Sequence, residues 1–236
     1  MTLLTANLIN CEFLYDGIYH LWLQLPPDQT LNYQAGQYLY LVLANGEERP
    51  YSIANAPLSG NEQGLLEFHI HYHQSDNKFT KPLFEELLTT KKIHLRGPEG
   101  HCTYHVPDAS HWILLAGGTG LAPCQAIIEA AIENKHMKPI HLYWGVRTAK
   151  HLYIHSKLQY WAEQYPWFRY TPVLFMDPDL PIDFRHGIVH DEVIKDFPDL
   201  TKAEVYVSGP EVMVFSAQKQ LLENGLPVEQ FFSDYT

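Results

Sequence analysis

The sequence predicts an α+β protein of two domains, in which an antiparallel β-barrel is followed by an α/β domain with a parallel sheet. Two observations support this fold class. The first part of the chain alternates short β-prone runs with turn residues, whereas the second part alternates apolar strands with helical runs. A chain of 236 residues is also long enough for two domains that each bury a core.

The barrel is predicted from short, closely spaced strands. Residues 18–25 and 38–43 are rich in aromatic and β-prone side chains. Residues 65–72 alternate in polarity, which places four apolar side chains on one face: Leu66, Phe68, Ile70 and Tyr72. A short helix is predicted at residues 81–88. We therefore assign residues 1–107 to this domain.

The α/β domain is predicted for residues 108–236. Its expected strands are residues 111–116, 140–144, 170–175 and 204–207. Its expected helices run from the first glycine-rich turn to about residue 134, over 155–164, and to about residue 223. Strands that alternate with helices in this way predict a parallel, doubly wound sheet.

Composition excludes several classes of protein. The formal net charge of −11 repels a polyphosphate backbone, so no nucleic-acid partner is expected. The three cysteines are far apart and form no CxxC, which argues against a disulfide framework, a cysteine zinc site or an iron–sulfur cluster. The chain shows no targeting segment and no long apolar run, so we expect a cytoplasmic protein with no membrane partner.

The first candidate site is the tetrapeptide Arg49-Pro50-Tyr51-Ser52. Proline stiffens an extended segment, in which Arg49 and Tyr51 share one side while Ser52 turns to the other. A forked cation, a flat ring and a hydroxyl fit a phosphate, a planar heterocycle and a ring nitrogen. An ordinary edge strand with a surface arginine is the alternative.

The second candidate site is the glycine-rich turn Gly117-Gly118-Thr119-Gly120 between a strand and a helix that carries Pro123 in its first turn. Glycines allow close approach of a pyrophosphate, and the helix N-terminus supplies unpaired N–H groups. The turn is not a strict GxGxxG, and a generic strand-to-helix turn remains the alternative.

Two further turns follow predicted strands. One contains Gly145 and Arg147, and the other contains Ser208, Gly209, Pro210 and Met213. Ligands of open α/β sheets bind at the carboxyl ends of the strands. The three turns are therefore expected to form one continuous ligand-binding edge.

The motifs RPYS, GGTGLAP, YWGVR and SGPEVM, in this order and spacing, resemble the ferredoxin-reductase-like superfamily. The chain is most similar to the bacterial NAD(P)H:flavin oxidoreductases. The resemblance implies a flavin-binding barrel and an NAD(P)H-binding α/β domain. It implies that Arg49 binds a flavin phosphate, that Tyr51 lies beside the isoalloxazine, and that Ser52 is the catalytic residue near N5.

The resemblance also assigns the remaining candidate residues. The glycine-rich turn would line the nicotinamide dinucleotide, and Gly209, Pro210 and Met213 would wall the nicotinamide pocket. The strand with His69, Ile70 and His71 would lie beside the flavin, together with Thr80. Arg147 and Lys150, with no acidic residue nearby, predict that NADPH is accepted alongside NADH.

Two departures from the family pattern affect these expectations. Many relatives have Cys at the position of Ser208. The segment 76–80 also lacks the glycines of the GGxxS-like turn that holds tightly bound FAD, although it keeps the Thr80 hydroxyl. Asp76 would repel the second phosphate of FAD, while Lys78 offsets part of that repulsion. We therefore expect an exchangeable flavin, whether FAD, FMN or riboflavin.

His69, His71 and His73 alternate along one strand, a spacing that would let them meet a metal. A polar outer face of a half-buried strand explains them more simply, so no metal centre is predicted. No GxSxG elbow is present, so a Ser–His–Asp hydrolase is not expected either.

The predicted function is an NAD(P)H:flavin oxidoreductase that transfers a hydride from NADH or NADPH to a flavin and supplies reduced flavin. A flavin-dependent oxygenase or another electron acceptor would be its partner. Two alternatives remain open at this point. One is a reductase with tightly bound FAD that passes electrons to a partner protein, and the other is a non-catalytic regulatory subunit.

Overall fold

A computed structural model describes residues 3–57, 64–72, 75, 78–176 and 184–235. The chain divides into two compact units. The first comprises Met1–Tyr104 with Gln125–Ala131, and the second comprises His105–Cys124 with Ile132–Thr236. An antiparallel sheet lies in the first unit and a parallel sheet with helices in the second, which confirms the predicted fold class.

The first unit is built on six antiparallel strands and one helix. The strands are β1 (Leu4–Tyr15), β2 (Ile18–Gln24), β3 (Tyr38–Val42), β4 (Glu48–Ser52), β5 (Leu65–His71) and β6 (Lys92–Glu99), and the helix is α1 (Thr80–Thr90). Their order in the sheet is β4-β3-β6-β1-β2-β5. Strands β4 and β5, which carry most of the candidate flavin-binding residues, are therefore the two end strands of the sheet.

Hydrogen bonds join the two ends of this sheet. The backbone N–H of Ala54, just after β4, donates to the carbonyl of Glu67 on β5 at 2.8 Å. The Asn55 side chain donates to the Leu65 carbonyl at 3.0 Å and accepts from the Glu67 N–H at 2.8 Å. Pairing of the edge strands curls the sheet towards the closed form that the sequence predicts.

Apolar side chains from both ends of the sheet fill the barrel. Leu21 and Leu23 on β2 pack with Leu66, Phe68 and Ile70 on β5, and all five are fully buried. This burial removes the alternating face of β5 from water. Helix α1 adds Leu83, Phe84 and Leu87 to the same core.

The remaining strands form a six-stranded parallel sheet. They are β7 (His111–Gly117), β8 (Ile140–Val146), β9 (Phe168–Leu174), β10 (Arg185–His186), β11 (Ala203–Ser208) and β12 (Phe231–Phe232). The helices are α2 (Leu121–Glu133), α3 (His155–Gln164), α4 (Val189–Asp196) and α5 (Glu211–Glu223). Val189 and Val193 of α4 pack with Val214 and Ala217 of α5 against this sheet.

The strand order β10-β9-β8-β7-β11-β12 places β7 at the point where the winding direction changes. The chain moves outward from β7 through β8, β9 and β10, and it then returns to β11 on the other side of β7. A doubly wound sheet opens a crevice at the carboxyl ends of such a pair of strands. The turns after β7 and β11 stand at that position.

The strands and helices predicted from strong patterns are present with small shifts of their ends, and Lys81–Leu88 becomes the longer helix Thr80–Thr90. Strands β1 and β6 and helix α4 were not predicted individually. Among the described residues, no helix combines the length and apolar character needed to span a membrane.

Candidate functional site

The glycine-rich turn lies between β7 and α2. Strand β7 ends at Gly117, residues Gly118–Gly120 form a single 3-10 turn, and α2 begins at Leu121. Gly118 has a φ of +54°, and a Cβ on it would meet no atom within 4 Å. The indole Nε1 of Trp144 donates to the Gly118 carbonyl at 2.9 Å. The turn is thus anchored from β8, while Gly118 itself stands beside open space.

The turns after β7 and β11 are in direct contact. A Cβ on Gly120 would lie 2.3 Å from the carbonyl oxygen of Ser208, and one on Gly117 would lie 2.4 Å from the sulfur of Met213. Gly209 has a φ of +153°, and its Cβ would lie 3.0 Å from the Cα of Gly117. These glycines are therefore required for close packing of the two turns, and Pro210 lies at the N-terminus of α5.

The third turn follows β8. Gly145 pairs with Gly117 across the sheet, and a Cβ on Gly145 would lie 3.0 Å from Cβ of Val189. Arg147 is exposed just beyond the strand, and so is Lys150. The three turns therefore follow three adjacent strands, as the sequence predicts for one ligand edge.

This edge suits the diphosphate of a dinucleotide. Helix α2 has thirteen residues and directs its first N–H groups towards the turn, and its first turn carries no acidic residue. Gly118 offers a backbone surface with no side chain, beside the half-buried Thr119. Pro123 occupies the first turn of α2, where a missing N–H costs no helical hydrogen bond.

Strand β4 carries the other candidate group. The Arg49 guanidinium lies 4.9 Å from the ring centre of Phe79, and the Tyr51 ring lies 6.2 Å from the same ring centre at 30°. Arg49 and Tyr51 therefore share one side of β4, in agreement with the alternation of an extended strand. Both are half-buried, and Pro50 between them is exposed.

Ser52 is the last residue of β4 and pairs with Tyr38 of β3. The N–H of the following residue, Ile53, donates to the carbonyl of Gln37 at 3.0 Å, which continues the pairing past the strand end. Ser52 is half-buried on this fixed backbone. A cation, a ring and a hydroxyl thus project from four consecutive residues at one edge of the sheet, a set that fits the phosphate and ring of a flavin.

Strand β5 differs from its prediction at one position. The His69 side chain is fully buried, with Nε2 3.1 Å from Oε1 of Glu67, so an outer polar face is wrong for this residue. His71 is half-buried, and its Nε2 lies 3.1 Å from the carbonyl oxygen of Asp16. Ile70 belongs to the barrel core. The prediction failed at His69 because Glu67 supplies a buried polar partner on the same face.

The segment proposed to govern FAD binding is described only in part. Asp76, Asn77 and His73 lie outside the described residues. Thr80 is the first residue of α1 and is 2% exposed. Its neighbour Phe79, which had no predicted role, is the ring that Arg49 and Tyr51 both approach.

A separate polar network surrounds the first half of β8, away from the glycine-rich turn. The Tyr143 hydroxyl donates to Asp196 at 2.6 Å, and Arg185 donates to the same carboxylate at 2.8 Å. These two bonds hold the pKa of Asp196 below its usual value, although burial opposes the shift. Burial lowers the pKa of His141 to about 4, although Asp196 pulls it upward. The network is charged but contains none of the predicted cofactor residues.

The chain matches the oxidoreductase FAD-binding domain over residues 5–104. It matches the oxidoreductase NAD-binding domain over residues 114–219. The protein belongs to the ferredoxin-reductase-like flavin oxidoreductases. Flavin and reduced nicotinamide are accordingly its cofactors, and the protein is an oxidoreductase.

Three relatives illustrate the range of this family. A CDP-6-deoxy-L-threo-D-glycero-4-hexulose-3-dehydrase reductase from Yersinia pestis is 37% identical over 97% of this chain and 67% of the relative. A probable flavin reductase from Photobacterium leiognathi is 34% identical over 84% of this chain and 83% of the relative. The crystal structure of the Amycolatopsis cytochrome P450 reductase GcoB superposes with a TM-score of 0.85 at 29% identity, covering 98% of this chain and 68% of that one.

The sequence did not identify three residues that shape the two halves of this oxidoreductase. Phe79 meets Arg49 and Tyr51, Trp144 binds the Gly118 carbonyl, and Val189 packs against Gly145. Each acts through a contact with a residue distant in sequence. An apolar or aromatic side chain gives no signal of such a contact until the strands are paired.

Proposed function

We propose that this protein is an NAD(P)H:flavin oxidoreductase that reduces an exchangeable flavin. The observation that carries the proposal is the close contact of the turns after β7 and β11, where Gly120 packs on the carbonyl of Ser208. That contact creates a side-chain-free surface at the switch point of the sheet, which is where this fold class binds nucleotides. The proposal that the protein binds a flavin rests mainly on the candidate side chains of β4.

On the flavin side, Arg49 binds the phosphate through its guanidinium, whose forked donors match phosphate oxygens. Tyr51 lies along the isoalloxazine, with Phe79 supporting both side chains. Ser52 donates a hydrogen bond towards N5. His71 completes the surroundings of the flavin, whereas Thr80, His69 and Ile70 are buried and support those surroundings from the interior.

On the nicotinamide side, Gly117–Gly120 and the first N–H groups of α2 bind the diphosphate, with Pro123 fixing the start of the helix. Gly209, Pro210 and Met213 bound the nicotinamide, and Ser208 supplies a hydroxyl at the end of β11. Gly145 allows the third turn to approach, and Arg147 binds the 2′-phosphate of NADPH. When both groups are bound, the nicotinamide would supply a hydride and the flavin would accept it.

Exchange of the flavin rests on the sequence of residues 76–80 and on one relative. By the family resemblance, residues 76–80 correspond to the turn that would hold the second phosphate of FAD, and the sequence there has the acidic Asp76 and no glycine. The relative from Photobacterium leiognathi, which carries the name of a flavin reductase, aligns over most of both chains. Reduced flavin would then pass to a flavin-dependent oxygenase or another acceptor.

A second candidate function is favoured by the relative from Yersinia pestis, whose name describes the reductase of a dehydrase. In this case the protein would hold FAD tightly and pass electrons to a partner protein. This chain spans about two thirds of the length of that relative. The two candidates use the same hydride-transfer residues and differ only in whether the flavin leaves.

Flavin retention distinguishes the two candidates. The protein is purified without added flavin, passed through gel filtration and dialysed, and its flavin content is measured from the visible absorbance per chain. A nearly colourless protein supports the exchangeable flavin, for which micromolar affinity, about −8 kcal/mol, is expected. A yellow protein with one FAD per chain after dialysis would refute it and favour the partner-protein reductase.

A further inference from the structure

Two histidines and a glutamate from adjacent strands meet in the first unit. His20 lies on β2, Glu67 and His69 lie on β5, and the strand register pairs His20 directly with His69. The Nε2 atoms of His20 and His69 lie 2.7 Å and 3.1 Å from the same oxygen, Oε1 of Glu67. The three potential ligand atoms all lie within 4.8 Å of one another.

The cluster is withdrawn from water. The side chains of Glu67 and His69 are 2% and 0% exposed, and that of His20 is 18% exposed. Burial of a carboxylate is costly unless a positive charge and hydrogen bonds compensate it. Gln125, which belongs to the same unit, donates from Nε2 to both Glu67 oxygens at 3.1 Å. This amide fixes the orientation of the carboxylate.

Two atoms of the cluster are not satisfied by the residues that the structure describes. Nε2 of His20 is buried and makes no hydrogen bond to them, although it lies 2.7 Å from Oε1 of Glu67. Oε1 of Gln125 is likewise buried without a hydrogen-bond partner among them. A buried imidazole nitrogen of His20 thus lies beside a carboxylate without a hydrogen bond to any described residue.

We propose that His20, Glu67 and His69 bind one divalent cation of the Zn²⁺ type. Two imidazole nitrogens and one carboxylate oxygen form a common ligand set for zinc, which leaves a fourth position to water. Tetrahedral zinc with bonds of ~2.0 Å places its ligands about 3.3 Å apart. The two nitrogen–oxygen separations of 2.7 Å and 3.1 Å are close to this value, and the separation of the two nitrogens lies within 4.8 Å. The donation from Gln125 holds the ligating carboxylate in place.

The charge of the cluster also favours a cation. With both imidazoles neutral, Glu67 carries one negative charge, so a divalent cation leaves a net charge of +1, which loss of a proton from its water ligand would neutralise. The cation would connect β2 to β5 through their side chains and so stabilise this part of the sheet. The site uses none of the turns proposed to bind nicotinamide and no residue of β4, but His69 lies on the strand proposed to adjoin the flavin, so its test measures metal binding rather than activity.

The alternative is a metal-free ion pair in which one imidazole is protonated. The two arrangements differ in direct metal binding. Tag-free protein is dialysed against a chelator, then titrated with Zn²⁺ by calorimetry and with Co²⁺ by visible absorbance. We expect one tight site per chain, and Co²⁺ bands typical of low-coordinate geometry. Zn²⁺ is also expected to raise the melting temperature.

Three variants locate the site. Glu67→Gln and His69→Gln should each weaken Zn²⁺ binding by more than about tenfold and abolish the Co²⁺ bands. His20→Gln, at the most exposed position of the three, should do the same with the least effect on folding. His186→Gln alters an exposed histidine on β10 and should bind as the wild type does. Circular dichroism without metal establishes that each variant is folded.

Absence of a tight site in the wild-type protein would overturn the proposal in favour of the metal-free ion pair. Binding that is unchanged in folded His20→Gln would overturn it as well, because the ion would then occupy other histidines. Activity of the enzyme does not enter this test. Failure of the metal site therefore leaves the proposed oxidoreductase function to its own experiment.

Discussion

Gly120 lies directly against the backbone of Ser208, with only 2.3 Å between the place of a Cβ and the Ser208 carbonyl oxygen. Real Cβ atoms do not approach backbone oxygens this closely, so any larger residue would displace one of the two turns. The contact joins the end of β7 to the end of β11. It therefore fixes the distance between the two turns at the edge that we propose to bind nicotinamide.

The first prediction concerns Gly120→Ala. The added methyl group separates the two turns, so we expect the KM for NADH to rise by at least about tenfold, or the protein to lose stability if the turns cannot separate. The control is Gly46→Ala, in the β3–β4 turn, which also replaces a glycine but meets no atom within 4 Å. Steady-state kinetics should leave the KM of this control for NADH near wild type, although the φ of +86° at Gly46 should lower its melting temperature. Wild-type kinetics in Gly120→Ala would contradict the geometry.

The second prediction concerns Ser52→Ala. A hydrogen bond to flavin N5 matters more as the hydride arrives than before, so its loss should slow hydride transfer about ten- to a hundredfold. Flavin affinity should change less. Single-turnover reduction of the flavin by NADH in a stopped-flow instrument measures the step directly. An unchanged reduction rate would remove Ser52 from the catalytic role.

The third prediction concerns the choice of nicotinamide. Arg147 is exposed at the end of β8, and its guanidinium is proposed to bind the 2′-phosphate of NADPH. Arg147→Ala should therefore raise the KM for NADPH more than the KM for NADH, whereas the wild type should accept both. Ser52→Ala serves as the comparison, because it should affect both nicotinamides equally. Equal losses in Arg147→Ala would show that this residue does not bind that phosphate.

The fourth prediction concerns stability against pH. Burial lowers the pKa of His141 to about 4 from an ordinary value of 6.5. The folded state therefore favours the neutral imidazole, and its contribution is complete above pH 6.5. That contribution is lost progressively as the pH falls towards 4, because the unfolded chain then binds a proton that the folded protein resists.

Urea unfolding at a series of pH values tests this prediction. His141→Asn should show a shallower loss of unfolding free energy between pH 6.5 and 4 than the wild type. The buried His136 and His190 and the half-buried His155 also have lowered pKa values, so a residual slope should remain. His186→Asn, at an exposed position, should keep the wild-type slope. A parallel slope in His141→Asn would exclude this histidine as the source.

Much of the fold was predictable because its strands carry strong local patterns. Strand β5 alternates over its length and β7 is a short apolar run, and both were found within a residue of the predicted bounds. Strand β1 gave no such signal, since only Ala6 among its twelve residues is fully buried. Strand β6 contains the Gly97-Pro98 pair, which ordinarily marks a turn.

The glycine turns were predictable because their chemistry is local, whereas contacts between strands were not. The meeting of Gly120 with Ser208 follows from the order β7-β11, which the sequence does not contain. The cluster of His20, Glu67 and His69 depends on the register between β2 and β5. The alternation of histidines on β5 therefore predicted a polar, solvent-facing side of this strand. Pairing of β5 with β2 instead places His69 in a buried cluster.

The measurement that tests the central claim most directly is steady-state oxidation of NADH and NADPH with riboflavin, FMN and FAD added separately. The account predicts little oxidation without added flavin and saturable oxidation with each of the three, at comparable maximal rates. Absence of oxidation with every flavin would contradict hydride transfer itself. A rate that is already maximal before flavin is added would contradict the exchange of flavin, and the reductase with tightly bound FAD would take its place.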